Sequence, residues 1–330
     1  MKKKINKFYY PNFIFTQRND IINIVINFFF IIKIILNEVI KIIINSDIFF
    51  KKNISKNNIF LQEKNSKTKR CFILGNGPSI SKLNLTFLKN EDTLVMNDFF
   101  KNQYCKKINP KFYFLLDGMY FQPKNLSNLN PKFSKIADLY IKKKAKKINE
   151  AAKNSQLVLP YPFALKYQNK YKYYNDKNIK YVRMLSFNIS DYIPKNIDIK
   201  IGVPFSFNVF THVLCCAILM GYKEIYLMGA EQDMYLGNKA FTNKLSNLKK
   251  QEKTFFNNDI KKQKVNQLIP ECTNYISFWS TYEILKAHIN LQSFAILRGV
   301  KIYNTTKPGI LDMYKYTNIK KLIKKKINLI

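Results

Sequence analysis

Between Cys71 and Asn304 short apolar runs alternate with longer stretches of helical periodicity. Cys71-Phe72-Ile73-Leu74, Thr93-Leu94-Val95-Met96, Phe112-Tyr113-Phe114-Leu115-Leu116, Leu157-Val158-Leu159, Ile225-Tyr226-Leu227-Met228 and Val300-Lys301-Ile302-Tyr303 read as strands, with a weaker one over residues 180–184. Runs this continuous belong to strands covered on both faces, as parallel strands are. Helical patterns begin at Ile80 and occupy residues 207–220 and 281–297, with Gly221 and Gly299 placed as C-terminal caps. Strands alternating with helices predict an α/β fold: a Rossmann-like, mostly parallel sheet flanked by helices.

The same pattern divides the chain. Residues 21–45 are apolar except for Asn23, Asn27, Lys33, Asn37, Glu38, Lys41 and Asn45, which gather within roughly 140° of a helical wheel. Lys33, Glu38 and Lys41 interrupt the roughly 20 apolar residues that a spanning helix requires. No small-residue cleavage site follows, so a secretory signal does not fit. The reading is an in-plane amphipathic helix within residues 1–50, with a tilted span or a helix packed on the domain as the other arrangements. Residues 51–69 form a basic linker, residues 70–315 the Rossmann-like catalytic domain, and residues 316–330 a basic amphipathic tail. Residues 234–275 are an irregular polar excursion, a candidate lid. Two amphipathic ends together can hold a protein on an anionic leaflet where one cannot.

Charge changes the picture of the partners. The 330 residues carry 56 Lys and Arg against 21 Asp and Glu, a formal net charge of +35. Such an excess favours anionic partners: a lipid surface, a nucleic acid or a nucleotide-bearing substrate. A Lys-rich coding bias that solvates the surface is the plainer account of most of it. Helix-turn-helix, zinc-finger and RNP patterns are missing, so no nucleic-acid partner is expected. The five cysteines form no Cys-x-x-Cys pair and fit a reduced, cytoplasmic protein. Two histidines, His212 and His288, are too few for a multi-histidine zinc site, and no metal is expected.

The chemistry sits where apolar runs stop. The first run ends in Gly75-Asn76-Gly77-Pro78-Ser79. Two glycines permit a tight turn and a close approach of ligand to backbone. Pro78 fixes φ at a helix start, while Ser79 can cap it. A strand–turn–helix unit of this kind aims amide N–H groups beyond the strand's carboxyl end, where a phosphate fits; a tight turn with no ligand is the bland reading. The spacing is neither Gly-x-Gly-x-x-Gly nor a P-loop. Asn97 and Asp98 follow the second run, Asp117 the third, and Glu231, Gln232 and Asp233 a later one. Ligands of open α/β sheets lie outside the carboxyl ends of the strands, so these groups converge on one cleft. Asn76 and Asn97 can donate and accept at once, which suits a base edge, a ribose hydroxyl or a phosphate. Ionised Asp117 only accepts, from a sugar or ribose hydroxyl. Glu231 and Asp233 fit a general base, a metal ligand or a helix cap equally.

Arg70-Cys71-Phe72-Ile73-Leu74-Gly75-Asn76-Gly77-Pro78-Ser79, with Asn97-Asp98-Phe99-Phe100 downstream, resembles the bacterial lipooligosaccharide sialyltransferases and a broader set of sialyltransferase-like and pterin-diphosphokinase-like proteins. Lys111-Phe112-Tyr113 through Asp117-Gly118-Met119-Tyr120-Phe121 fits their third strand end, and Met220 through Gly229 a later strand of both groups. Arg298-Gly299-Val300-Lys301-Ile302-Tyr303-Asn304-Thr305-Thr306 resembles the closing strand of the broader set. The resemblance spans roughly residues 68–315. It implies a CMP-activated nonulosonic acid as donor and transfer with inversion and no essential metal. It also implies that Gly75, Asn76, Gly77, Ser79 and Asn97 contact the donor. Ser206 and Asn208, at the start of a helix, are further candidates for donor contact. Asp117 stands where those enzymes carry Asn, and their His before the last helix is replaced by the stretch from Cys272 to Trp279. The candidate base is therefore His288, as a displaced imidazole, or Glu231 or Asp233.

These readings together predict a glycosyltransferase, peripheral on the cytoplasmic face of the cell membrane. Its donor is a nucleotide sugar, a substrate rather than a cofactor, and its acceptor a cell-surface glycan or glycolipid. Two other functions fit the sequence. One is Mg²⁺-dependent pyrophosphoryl transfer from ATP to a pterin alcohol, with Asp117, Glu231 and Asp233 as metal ligands. The other is a non-catalytic adaptor at the membrane surface.

Overall fold

The computed structural model describes residue 61 and residues 69–123, 137–232, 274–307 and 309–319. All belong to the unit Ile59–Ile330. The expected N-terminal amphipathic helix, the basic linker except Leu61 and Lys69, the candidate lid up to residue 273 and the basic tail beyond residue 319 lie outside the described residues, as do Asp233 and Cys272.

Among the described residues nine strands form one sheet: β1 (Arg70–Leu74), β2 (Asp92–Met96), β3 (Phe112–Phe114), β4 (Gln156–Tyr161), β5 (Ile179–Asn188), β6 (Val203–Phe205), β7 (Glu224–Met228), β8 (Lys301–Asn304) and β9 (Lys315–Tyr316). Every pair is parallel, in the spatial order β6-β5-β4-β3-β2-β1-β7-β8-β9. Among the described residues the helices are α1 (Cys105–Ile108), α2 (Ala137–Ala151), α3 (Phe163–Tyr171), α4 (Val209–Leu219) and α5 (Asn274–Leu297). This is the helix-flanked α/β sheet expected from the pattern.

Alternate side chains of a strand point to opposite faces, and both faces are buried here. Cys71 and Ile73 of β1 join Leu94, Val158 and Leu227 beneath α4 and α5. Phe72 and Leu74 point the other way and pack with Val95, Tyr113 and Leu157 against Ile141, Ala145 and Ile148 of α2. β2 is buried along its whole length, which is why its sequence shows no alternation. Cys71, Cys105, Cys215 and Cys216 are buried thiols within these two cores.

Several elements differ from expectation. The helix anticipated from Ile80 is a 3-10 turn over Pro78–Lys82, followed by a second turn over Leu85–Leu88. Asn84 divides them, because its side chain accepts from Thr86 N–H and starts a new turn. β6 escaped the sequence reading because Pro204 sits in it, a residue tolerated only where a strand lies at a sheet edge. β5 runs on to Asn188 to pair with β6 across a register shift. α5 begins at Asn274 rather than Thr281. Gly221 and Gly299 have φ of +88° and +63° and terminate α4 and α5 as expected. No described helix is long and apolar enough to cross a membrane.

Candidate functional site

The order of the strands locates the site. Successive strands from β1 to β6 step away on one side, and the chain then returns through α4 to place β7 on the other side of β1. A parallel sheet opens a crevice at such a reversal, outside the carboxyl ends of the two strands. Leu74 ends β1 opposite Met228 of β7 and Val95 of β2. The segments leaving these three strands carry Asn76, Glu231 and Asn97.

The glycine turn is pressed against the exit of β7. Gly75 N–H donates to Met228 C=O (2.8 Å), Gly77 N–H to Gly229 C=O (3.1 Å) and Ser79 N–H to the Glu231 carboxylate Oε1 (2.7 Å). A Cβ on Gly75 would lie 2.3 Å from the Gly229 carbonyl oxygen, and one on Gly77 would lie 1.7 Å from Glu231 Oε2. Glycine is required here by close approach of one protein segment to another. Gly75 spends its N–H on Met228 of β7, and Gly77 and Ser79 spend theirs on Gly229 and Glu231 in the segment that leaves β7, so these three amides do not stand free for a donor phosphate as expected.

Glu231 is itself almost enclosed, 5% exposed. Behind it Ile310 N–H donates to its backbone carbonyl (3.3 Å), and Ala230 N–H donates to Thr306 Oγ1 (3.0 Å). With Oε1 taken by Ser79, Oε2 is buried and has no hydrogen-bond partner among the described residues. Beside it at the strand exits, Oδ1 of Asn76 and Oδ1 of Asn97 share that condition, as Thr93 Oγ1, Ser155 Oγ and Gln292 Oε1 do elsewhere. Asn76 Nδ2 reaches the Met96 carbonyl (3.3 Å), so the amide lies against the residue that precedes Asn97. Asn97 adopts left-handed φ, +51°, a conformation Asn tolerates better than most residues. Tyr113, fully buried, holds it there: its hydroxyl donates to Asn97 C=O (2.6 Å) and accepts from Phe100 N–H (2.8 Å). Gln232, leaving β7, is also left-handed at φ +55°.

The other candidates divide. Asn208 caps α4, accepting from Phe210 N–H (2.7 Å), and its Nδ2 donates to Gln232 Oε1 (2.8 Å). It thereby brings the N-terminus of α4 to the β7 exit. The ring of Phe210 would be 3.1 Å from a Cβ on Gly75. Ser206 is 5% exposed and tied into the turn, with Oγ 2.5 Å from Thr211 Oγ1 and its N–H donated to His212 Nε2 (2.7 Å). Ser206 Oγ also accepts from Asn208 N–H (3.3 Å), which ties it to the start of α4. Asp117 accepts from Met119 N–H (2.9 Å) as cap of the turn Gly118–Tyr120, half-buried beyond β3. Asp98 is a structural hub, 3.1 Å from Lys144, 3.2 Å from Lys101 and 2.7 Å from the Tyr120 hydroxyl. Burial alone would raise its pKa, but Lys144, Tyr120 and Lys101 outweigh burial and hold the carboxyl below the usual carboxylate value.

His288 is displaced from the role expected of it. It is fully buried, with Nδ1 2.9 Å from the Tyr314 hydroxyl and its ring 6.1 Å from that of Phe210. Burial lowers its pKa to about 3, so it stays neutral within the core. His212 is lowered to about 3 for the same reason. Of the candidate bases, Glu231 alone stands at the crevice within the described residues. No three His, Cys, Asp or Glu side chains come together as a metal site among them. Tyr113, Gln232 and Thr306 complete the site. Their sequence signal was position alone, in or just after a strand.

No family model matches the sequence, and no curated protein is similar to it. Among solved structures, a sialyltransferase from Campylobacter jejuni, CstII, in complex with the substrate analogue cytidine-5'-monophosphate is 17% identical, with a TM-score of 0.38. The match covers 76% of this chain and 85% of that one.

Proposed function

We propose that the chain is a glycosyltransferase of sialyltransferase type, moving a nonulosonic-acid sugar from a CMP-activated donor to a cell-surface glycan or glycolipid. The observation that carries this reading is a set of three buried oxygens at the switch point without partners among the described residues: Asn76 Oδ1, Asn97 Oδ1 and Glu231 Oε2. An unpaired buried acceptor costs about 1–3 kcal/mol, and a ligand that brings O–H and N–H donors offsets that cost. Ribose hydroxyls, the cytosine amino group and the hydroxyls of a nonulosonic acid are such donors. The donor class itself rests on the resemblance of residues 70–79 and 220–229 to the sialyltransferases.

The pairing of the glycine-turn amides with the end of β7 and the segment that leaves it bears on the rival enzyme. Pyrophosphoryl transfer would ask this turn to grip a triphosphate, and the N–H groups of Gly75, Gly77 and Ser79 already have partners. A ligand recognised by donating hydroxyls to side-chain oxygens suits the crevice better.

In the proposed reaction the acceptor hydroxyl oxygen bonds to the anomeric carbon as the bond from that carbon to the CMP phosphate oxygen breaks. The bonding pair leaves with CMP, and Glu231 Oε2 takes the hydroxyl proton. Asn76 and Asn97 orient the donor through their amide oxygens. Asp233, just beyond the described residues, remains the second candidate base. The chain works at the inner face of the cell membrane, held by its amphipathic N-terminal segment and basic tail.

The test is CMP release from CMP-sialic acid in the presence of a glycan acceptor mixture. Release is expected, lowered about 100-fold or more by Glu231→Gln and by Asn76→Ala. No release from the wild-type chain, or release indifferent to both substitutions, overturns the reading.

A further inference from the structure

α5 is apolar on both faces, although a helix on a domain surface needs to bury only one. Ala287, Leu291, Phe294 and Ala295 face the core beneath it. On the opposite side Trp279, Tyr282, Ile289, Ile296 and Leu297 are 41, 59, 53, 65 and 61% exposed. At 100° per residue these five fall within an arc of roughly 100°, and the stripe runs for about 27 Å. The stripe also continues past the helix. The Trp279 ring centroid is 5.0 Å from that of Phe207, itself 50% exposed, and Phe207 is 5.5 Å from Phe205 at the end of β6. Phe207 immediately precedes Asn208, whose amide meets Gln232 at the crevice.

We infer that this stripe is a membrane-seating surface: the outer face of α5, with Phe205 and Phe207, lies on an anionic lipid bilayer with the mouth of the crevice beside it. Exposed apolar surface of this extent marks an interaction site. Two observations favour lipid over a second copy of the chain. The net charge of +35 attracts the protein to an anionic leaflet and repels it from itself. Lys286 also lies inside the stripe, 5.9 Å from the Tyr282 ring and 3.6 Å from Asp191. An antiparallel two-fold pairing of α5 would centre near Lys286 and bring two ammonium groups together. On a bilayer the same side chain extends to the lipid headgroups while its stem lies on the apolar surface. Trp and Tyr at one end with Ile and Leu at the other are the composition of a helix lying in the interface. The inference deepens the proposed function, because an enzyme seated this way presents its crevice to an acceptor carried by lipid. It rests on residues outside the two amphipathic chain ends of the sequence.

Trp279 is the only tryptophan of the chain, so its emission reports on this surface alone. The full chain is titrated with vesicles of equal parts phosphatidylglycerol and phosphatidylcholine. A blue shift of the emission is expected, with quenching when the acyl chains are brominated. The exposed-face variant Ile289→Ser/Ile296→Ser should weaken partitioning about tenfold. Vesicle binding with unshifted, unquenched Trp279 would show that other segments hold the protein, and overturns the inference. So does a blue shift that depends on protein concentration without lipid, which would identify a second copy as the occupant. The assay reads binding without turnover. CMP release with a water-soluble acceptor fails or succeeds independently, so the failure of this surface and of the catalytic reading are distinguishable.

Discussion

At the residue scale, the glycine turn and Glu231 form one unit. Gly77 is glycine because the Glu231 carboxylate occupies the space of its missing side chain, and Glu231 is held because Ser79 N–H grips Oε1. Gly77→Ala puts a methyl group 1.7 Å from Oε2, a distance no packing tolerates, so the carboxylate or the turn must move. The expected outcome is loss of CMP release and a loss of stability of about 1–3 kcal/mol. Urea denaturation and the release assay measure the two together. Full activity in Gly77→Ala would dissociate the turn from the site. Asn97 shows the same economy. Its left-handed backbone is fixed by the buried Tyr113 hydroxyl, and its amide oxygen is buried with no partner among the described residues.

At the scale of elements, α4 decides the geometry of the site. It returns the chain from the sheet edge to the centre, lies across β1 and β2, and ends its N-terminus at the exit of β7. Asn208 serves both as its cap and as its tie to Gln232, satisfying a helix N–H that the apolar sequence after it could not. Asn208→Ala therefore removes a cap, worth about 1 kcal/mol, and releases Gln232 in the same step. Equilibrium denaturation should register the first effect. A rise in KM for the donor larger than the change in kcat should register the second. Asn208→Asp keeps the cap and loses the amide donor, so it should restore stability without restoring KM.

For the whole molecule, the two buried histidines make stability depend on pH. Each has a folded-state pKa lowered from the ordinary 6.5 to about 3. The unfolded chain takes up protons that the native core refuses, so stability is full above about pH 6.5 and falls as pH drops toward 3. The loss approaches about 1.4 kcal/mol per pH unit for each histidine. Asp98, held below its ordinary value, adds a further loss in more acid solution as its carboxylate is protonated. Urea midpoints measured from about pH 7 down to about pH 5 should fall, and His288→Gln should flatten the slope. A flat profile in the wild-type chain contradicts the buried, neutral assignment. The architecture behind these effects was legible in the residues themselves. Strands buried on both faces must be apolar throughout, and a turn that approaches another segment must be glycine, so β1, β2, β3 and β7 and the Gly75–Gly77 corner declared themselves. The polar residues after each run likewise marked one end of the sheet. Local sequence could not say what each polar group would meet. Whether Ser79 N–H faced a phosphate or Glu231 depended on the segment that leaves β7, in which Glu231 is 152 residues away in the chain and adjacent only through the parallel register of β1 and β7. Likewise Asp98 became an ion-pair hub through Lys144, and His288 a core residue through Tyr314. Secondary structure follows from short-range periodicity and sterics, whereas partnership among charged and polar groups follows from burial and long-range contact, which only the assembled sheet supplies.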